Sequence, residues 1–247
     1  MEEYKKSKKI YELFNKKNTI FYWHSVKKIS LINSDLENET KALSFLINNF
    51  NNIKDPNLKI IYDVANLYRG FGKFKESIDY YTKVINILDN KHPSYADILY
   101  RRGASYERIQ MWENSDKDLL ESLKINPDDP HVLNYLAYSW LERNYKIDEA
   151  MDMLLLAHNK RPNDPYITDS VGWAYYLQGD YVKAKKFIRH AIKLLPSDPI
   201  INDHYADILW KLNKPLQANY FWKYVLNLED IKPENKKKIK NKLIFGV

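Results

Sequence analysis

The chain has 247 residues, a formal net charge of +7 and no cysteine. Its length is enough to bury a substantial core, and the lack of cysteine excludes disulfide staples and thiolate chemistry while leaving both reducing and oxidising compartments open. A content of 45% apolar and 29% charged residues marks an ordered chain, and 6 glycines against 20 tyrosines and 6 tryptophans argue for packed aromatics over flexible loops.

Much of the excess charge sits at the two ends, in Lys5, Lys6, Lys8 and Lys9 and in Lys236, Lys237, Lys238, Lys240 and Lys242. Two readings stand: solvated helix faces and tails, or attraction to an acidic partner or a membrane surface. The abundance of Lys, Asn, Ile and Tyr also matches the drift of an AT-rich genome. The apolar stretches near the start, residues 10–14 and 19–23, are too short or interrupted for a signal peptide or a membrane span. The expectation is a cytoplasmic chain with no transmembrane segment.

In chain order, residues 1–22 read as an N-terminal capping helix or the remnant of a repeat, and 23–57 as a degenerate helical pair with Ala42 and Leu46 as weak markers. Residues 58–95 form a clearer pair around Val64, Ala65, Tyr68, Ser77, Tyr81 and Val84, turning at residues 71–74. The linker at 88–94 is about four residues longer than the others. The next units are 96–129, 130–164, 165–198 and 199–232, and 233–247 reads as a basic capping helix. Pro127 and Pro130, Pro162 and Pro165, and Pro196 and Pro199 recur at gaps of 35 and 34 residues, which is the mark of a helical repeat.

Residues 165–198 show the unit most plainly. Asp164 caps a first helix with Pro165 at its first position, where a missing N–H is harmless. Gly179 and Asp180 make the turn. A second helix follows with Ala184, Phe187, Ile188, Ala191 and Ile192 on its apolar side, and Pro196 stops it. In 130–164 one extra residue falls in the internal turn, within residues 144–147. Gly103, Ala137, Gly172 and Ala206 form one column of small residues at steps of 34, 35 and 34, and Ser115, Ala150, Ala184 and Ala218 form a second at 35, 34 and 34. Such columns predict close helix–helix approach.

This unit resembles the tetratricopeptide repeat, through Val171, Gly172, Tyr175, Ala184, Ile188, Ala191 and Pro196 in one repeat and their counterparts from residue 58 to 228. The resemblance implies an all-α fold, an α-α superhelix (TPR solenoid) of about five to six helical hairpins with a C-terminal capping helix. The runs at 99–108, 132–139, 167–176 and 200–207 also resemble the C-terminal repeats of a widespread proteobacterial tetratricopeptide-repeat protein without a defined biochemical role, whose usual members are longer and secreted or envelope-associated.

In the family it resembles, first helices line a concave groove that binds proteins or peptides. The resemblance carries that role to Asn134, Tyr138, Asp169, Trp173, Tyr176, Asp203, Asp207 and Trp210. Asn134, Asp169 and Asp203 make a polar column able to accept hydrogen bonds from a peptide backbone, and the aromatic residues offer large, rigid contacts. The carboxylates suit a lysine- or arginine-bearing peptide. The bland alternative makes Trp173 and Trp210 packed core between repeats and the carboxylates partners in local ion pairs. Arg69, Arg101, Arg102 and Arg108, farther along, could instead accept an acidic segment.

No catalytic constellation, cofactor motif or metal motif stands out. The histidines, His24, His92, His131, His158, His190 and His204, include no His-Glu-x-x-His pair, and His190 and His204 read as satisfied core or surface residues. Glycine-rich nucleotide loops and nucleophile elbows are absent. The chain therefore reads as a non-enzymatic interaction scaffold. The alternatives are a basic protein binding nucleic acid or an acidic surface, or a vestigial repeat protein without a ligand. The oligomeric expectation is a monomer, or a weak homodimer through Tyr220, Phe221, Trp222 and Tyr224.

Overall fold

The computed structural model describes residues 2–14, 21–36, 38–228, 231 and 233–247. The part of the N-terminal cap reading that falls on residues 15–20 lies outside the described residues. All regular structure among the described residues is helical, and the chain divides into two compact units, residues 1–125 and 126–247.

The first unit contains α1 (Glu2–Phe14), α2 (Tyr22–Leu36), α3 (Glu39–Phe50), α4 (Leu58–Gly70), α5 (Phe74–Ile87), α6 (Tyr95–Arg108) and α7 (Trp112–Ile125). The pairs α2/α3, α4/α5 and α6/α7 pack as antiparallel hairpins. The linker between α5 and α6 spans residues 88–94, seven residues, as does the link at 51–57 between α3 and α4, whereas the inter-hairpin links at 161–164 and 195–198 have four. Arg102 grips the buried Asp118 with two hydrogen bonds, at 2.7 and 2.8 Å, and so ties α6 to α7.

The second unit contains α8 (Pro130–Glu142), α9 (Ile147–Lys160), α10 (Pro165–Leu177), α11 (Tyr181–Leu194), α12 (Pro199–Lys211), α13 (Pro215–Leu226) and the trailing α14 (Pro233–Phe245). The proline marks become helix starts for a local reason. Asp129, Asp164 and Asp198 each accept two backbone N–H groups of the following first turn, and a proline occupies the first helical position each time. Each cap contributes about 1 kcal/mol, and three identical caps fix the same phase in three successive first helices.

The small-residue columns are close-contact columns. A Cβ placed on Gly172 would lie 2.5 Å from Ile188 Cδ1, and one on Gly103 would lie 3.0 Å from Leu119 Cγ. Ser115, Ala150, Ala184 and Ala218 are fully buried. The turns inside the hairpins carry a third column that the sequence shows only in part. Gly72, Gln110, Asn144, Gly179 and Asn213 all have positive φ, between 51° and 80°. Each donates its N–H to the carbonyl three residues earlier, closing the turn in the same way. The extra residue of the α8/α9 turn lies here: residues 143–146 connect these helices where 178–180 connect α10 and α11. Lys146, at φ 47°, absorbs it as a second left-handed residue.

Candidate functional site

The first helices of the second unit, α8, α10 and α12, present the carried-over residues, and α14 completes the lining. Trp173 is the centre of the arrangement. Its indole stacks on the His204 imidazole (centroids 4.0 Å apart, planes at 15°) and on the Tyr176 ring (4.5 Å, 12°). Its Nε1 donates to Glu142 Oε1 at 3.1 Å. Two stacking partners and a hydrogen bond at its edge therefore hold the ring, which makes it a pre-set contact rather than a swinging one.

His204 is buried and its Nδ1 lies 3.0 Å from both carboxylate oxygens of Asp169, itself only 5% exposed. Burial alone pushes the imidazole downward. The Asp169 carboxylate, helped by Asp203 and Asp207, outweighs that effect and holds His204 above its ordinary value. An Nδ1–H donated to Asp169 satisfies that buried carboxylate, which in turn favours the charged imidazole.

Asp203 and Asp207 share one ammonium group. Lys242 of α14 donates to both carboxylates at 2.7–2.9 Å. Asp207 also accepts from Trp222 Nε1 at 3.1 Å. Burial pushes Asp207 upward, with the Asp203 charge adding to it and Lys242 opposing it. Burial and the nearby Asp207 push the Tyr176 hydroxyl up to about 12.

Tyr138, Trp173, Asp203 and Asp207 come together around one cavity of about 370 Å³, together with Glu142, Ile200, His204, Lys238 and Lys242. The other four candidates lie elsewhere. Asn134 is half-buried with its Oδ1 unpaired. Asp169 sits behind His204. Tyr176 stacks on Trp173 and is not part of the cavity lining. Trp210 packs on Trp222, with ring centroids 5.6 Å apart, and lies against the backbone of Gly246. Asp169, Asp203 and Asp207 already hold cationic partners inside the chain, so the lining is more aromatic and less acidic than its sequence suggests. In the first unit, Arg101 pairs with Asp97 and Arg102 with Asp118.

Two members of the site were not singled out from the sequence, His204 and Lys242. A signal was present: Asp169 to His204 and Asp207 to Lys242 are both steps of 35 residues, the repeat itself. Among the described residues no group of three His, Asp or Glu is gathered to hold a metal.

A tetratricopeptide-repeat model matches residues 58–87 and 170–198. The chain is similar to TPR repeat-containing protein PA4667 of Pseudomonas aeruginosa, 32% identical over 110 residues, covering 44% of this chain and 19% of that protein. It is also similar to the human protein O-mannosyl-transferase TMTC1, 27% identical over 111 residues, covering 42% of this chain and 12% of the relative. The chain thus spans less than a fifth of the length of these curated relatives. Among solved structures, a tetratricopeptide repeat protein from Parabacteroides merdae shares the fold with a TM-score of 0.76 at 15% identity, over 96% of this chain and 91% of that one. Pseudomonas aeruginosa PilF does so at 0.61 and 15%, over 76% and 87%. Its capped hairpins and close-contact columns agree with these matches: the chain carries tetratricopeptide repeats, matched directly at residues 58–87 and 170–198.

Proposed function

We propose that the second unit binds a peptide segment of a partner protein across α8, α10 and α12, and that the chain works as a non-enzymatic scaffold in the cytoplasm. The observation that carries this reading is the braced Trp173. Its ring is locked by His204, Tyr176 and Glu142 at the edge of a cavity of about 370 Å³. A rigid aromatic loses little freedom on binding, and such residues dominate interface energies when covered.

The cavity takes one apolar side chain of the partner, against Trp173, Tyr138 and Ile200. Glu142 and Lys238 stand at its margin as one acid and one base for the flanking residues. Because Lys242 already engages both Asp203 and Asp207, the recognised feature is an apolar anchor rather than a run of lysines. The chain itself acts as a monomer or a weak homodimer.

The test is partner capture from source-cell lysate with wild-type protein, Trp173→Ala and Ile200→Glu. Ile200 is half-exposed at the cavity lip, so its replacement leaves the fold intact while placing a charge where the anchor sits. The expected result is a partner held by wild type and lost by both variants. Retention by folded Ile200→Glu would remove the cavity from the account.

A further inference from the structure

The outer face of α11 carries a cluster of cations that make no ion pair among the described residues. Its sequence, YVKAKKFIRHAIKL, contains no acidic residue. Ala184, Ile188 and Ala191 turn inward and are fully buried. Lys185, Lys186, Arg189 and Lys193 are left outside, around a shallow depression of about 460 Å³. Lys214, at the start of α13, joins them. Partial burial, together with this neighbouring ammonium, holds Lys185 below its ordinary value. Among the described residues none of these five cations is held by a carboxylate, and Asp180 at the helix start is taken by Lys183.

Val182 protrudes beside the cations, in the same depression, and α13 carries protruding apolar side chains of its own. Val182 and Leu216 hold the same second position in α11 and α13, 34 residues apart. They are 74% and 85% exposed, and Tyr220, one turn beyond Leu216, is 67% exposed. A merely solvated helix face mixes both signs of charge and does not push its aliphatic residues outward in register.

We propose that this face docks on an anionic lipid bilayer, its cations against phosphate headgroups and Val182, Leu216 and Tyr220 within the headgroup layer. Two features favour a bilayer over other anions. The depression is open and shallow, suited to a flat surface rather than to an extended acidic peptide. The protruding side chains are mainly aliphatic, which adds apolar insertion to charge attraction, whereas single-stranded nucleic acid gains from aromatic stacking. The docking is peripheral, since no described helix is long and apolar enough to cross a membrane. It uses the second helices α11 and α13, so it stands independently of the peptide cavity on α8, α10 and α12.

The test is co-sedimentation of the full chain with vesicles of phosphatidylcholine containing about 30 mol% phosphatidylglycerol, against pure phosphatidylcholine, over a range of salt. Wild type should pellet with the anionic vesicles only, and less at high salt. Lys185→Ala/Arg189→Ala/Lys193→Ala should weaken binding about a hundredfold, at about fivefold per cation. Leu216→Ser should weaken it severalfold at unchanged salt dependence. All these positions are at the surface, and circular dichroism of each variant serves as the check that it is folded. No pelleting of wild type, equal pelleting with neutral vesicles, or undiminished binding of the triple variant would overturn the proposal. So would tight binding of a single-stranded oligonucleotide that needs the lysines and ignores Leu216→Ser, which would assign the face to nucleic acid.

Discussion

Replacing His204 with alanine removes the imidazole that lies between Asp169 and Trp173. Asp169 is 5% exposed and has both carboxylate oxygens 3.0 Å from His204 Nδ1, so the variant leaves a buried carboxylate without its cation. Removing one partner of such a pair costs about 3–5 kcal/mol, and losing the imidazole–indole stack at 4.0 Å adds about 0.5–1.5 kcal/mol. Asp169→Ala/His204→Ala should recover part of the loss, because it removes the stranded charge as well. The assay is urea unfolding of the four proteins of this cycle, followed by tryptophan fluorescence. The pH dependence has a definite sign. His204 is raised above its ordinary value in the folded protein, so its contribution is complete below the unfolded histidine value of about 6.5 and is lost as pH rises through the folded value. Wild type should therefore lose stability relative to His204→Gln as the solution is made more alkaline above neutrality. A coupling below about 0.5 kcal/mol, or parallel pH profiles for the two proteins, would refute the reasoning.

Arg102→Met should destabilise the first unit by about 3–5 kcal/mol in urea unfolding, because it strands buried Asp118. Gly172→Ala should cost about 1–2 kcal/mol net: the new Cβ would press on fully buried Ile188, and that strain exceeds the roughly 1 kcal/mol gain in helix propensity. Gly70→Ala is the control; nothing lies within 4 Å of the added carbon, so thermal unfolding should show no loss. Gln110→Gly should raise stability by about 1 kcal/mol, since a non-glycine residue at φ 62° is strained and this side chain is exposed.

The repeat itself was open to reading because its determinants are local. An aspartate followed by proline caps and starts a helix whatever surrounds it, and Asp129, Asp164 and Asp198 do so identically. Gly103 and Gly172 announced close approach because no other residue leaves that space. The left-handed turn column was visible at Gly179 and hidden at Gln110, where the backbone hydrogen bonds of the turn go with a residue held against its own preference.

The candidate site was legible only in part. The repeat register, with the face positions carried over from the family resemblance, could assign Trp173 and Asp203 to the lining faces of successive first helices. It could not show that Asp203 and Asp207 are answered by Lys242, whose position in a terminal basic run looked like solvated charge. His204 looked inert for the same reason, since its value depends on the Asp169 and Trp173 that the neighbouring helix sets beside it. Charge pairs between repeats follow the 35-residue step, but nothing in a single helix reveals which charges meet.

The central claim is that the Trp173 cavity receives a partner's apolar side chain. Selection of random peptides on the full chain, followed by calorimetric titration of the tightest binder, tests it most directly. The account expects a peptide with one essential apolar residue, whose affinity falls more than tenfold with Ile200→Glu and with Trp173→Ala and is unaffected by Lys185→Ala on the opposite helix layer. A peptide that binds all three folded variants as tightly as wild type would contradict it.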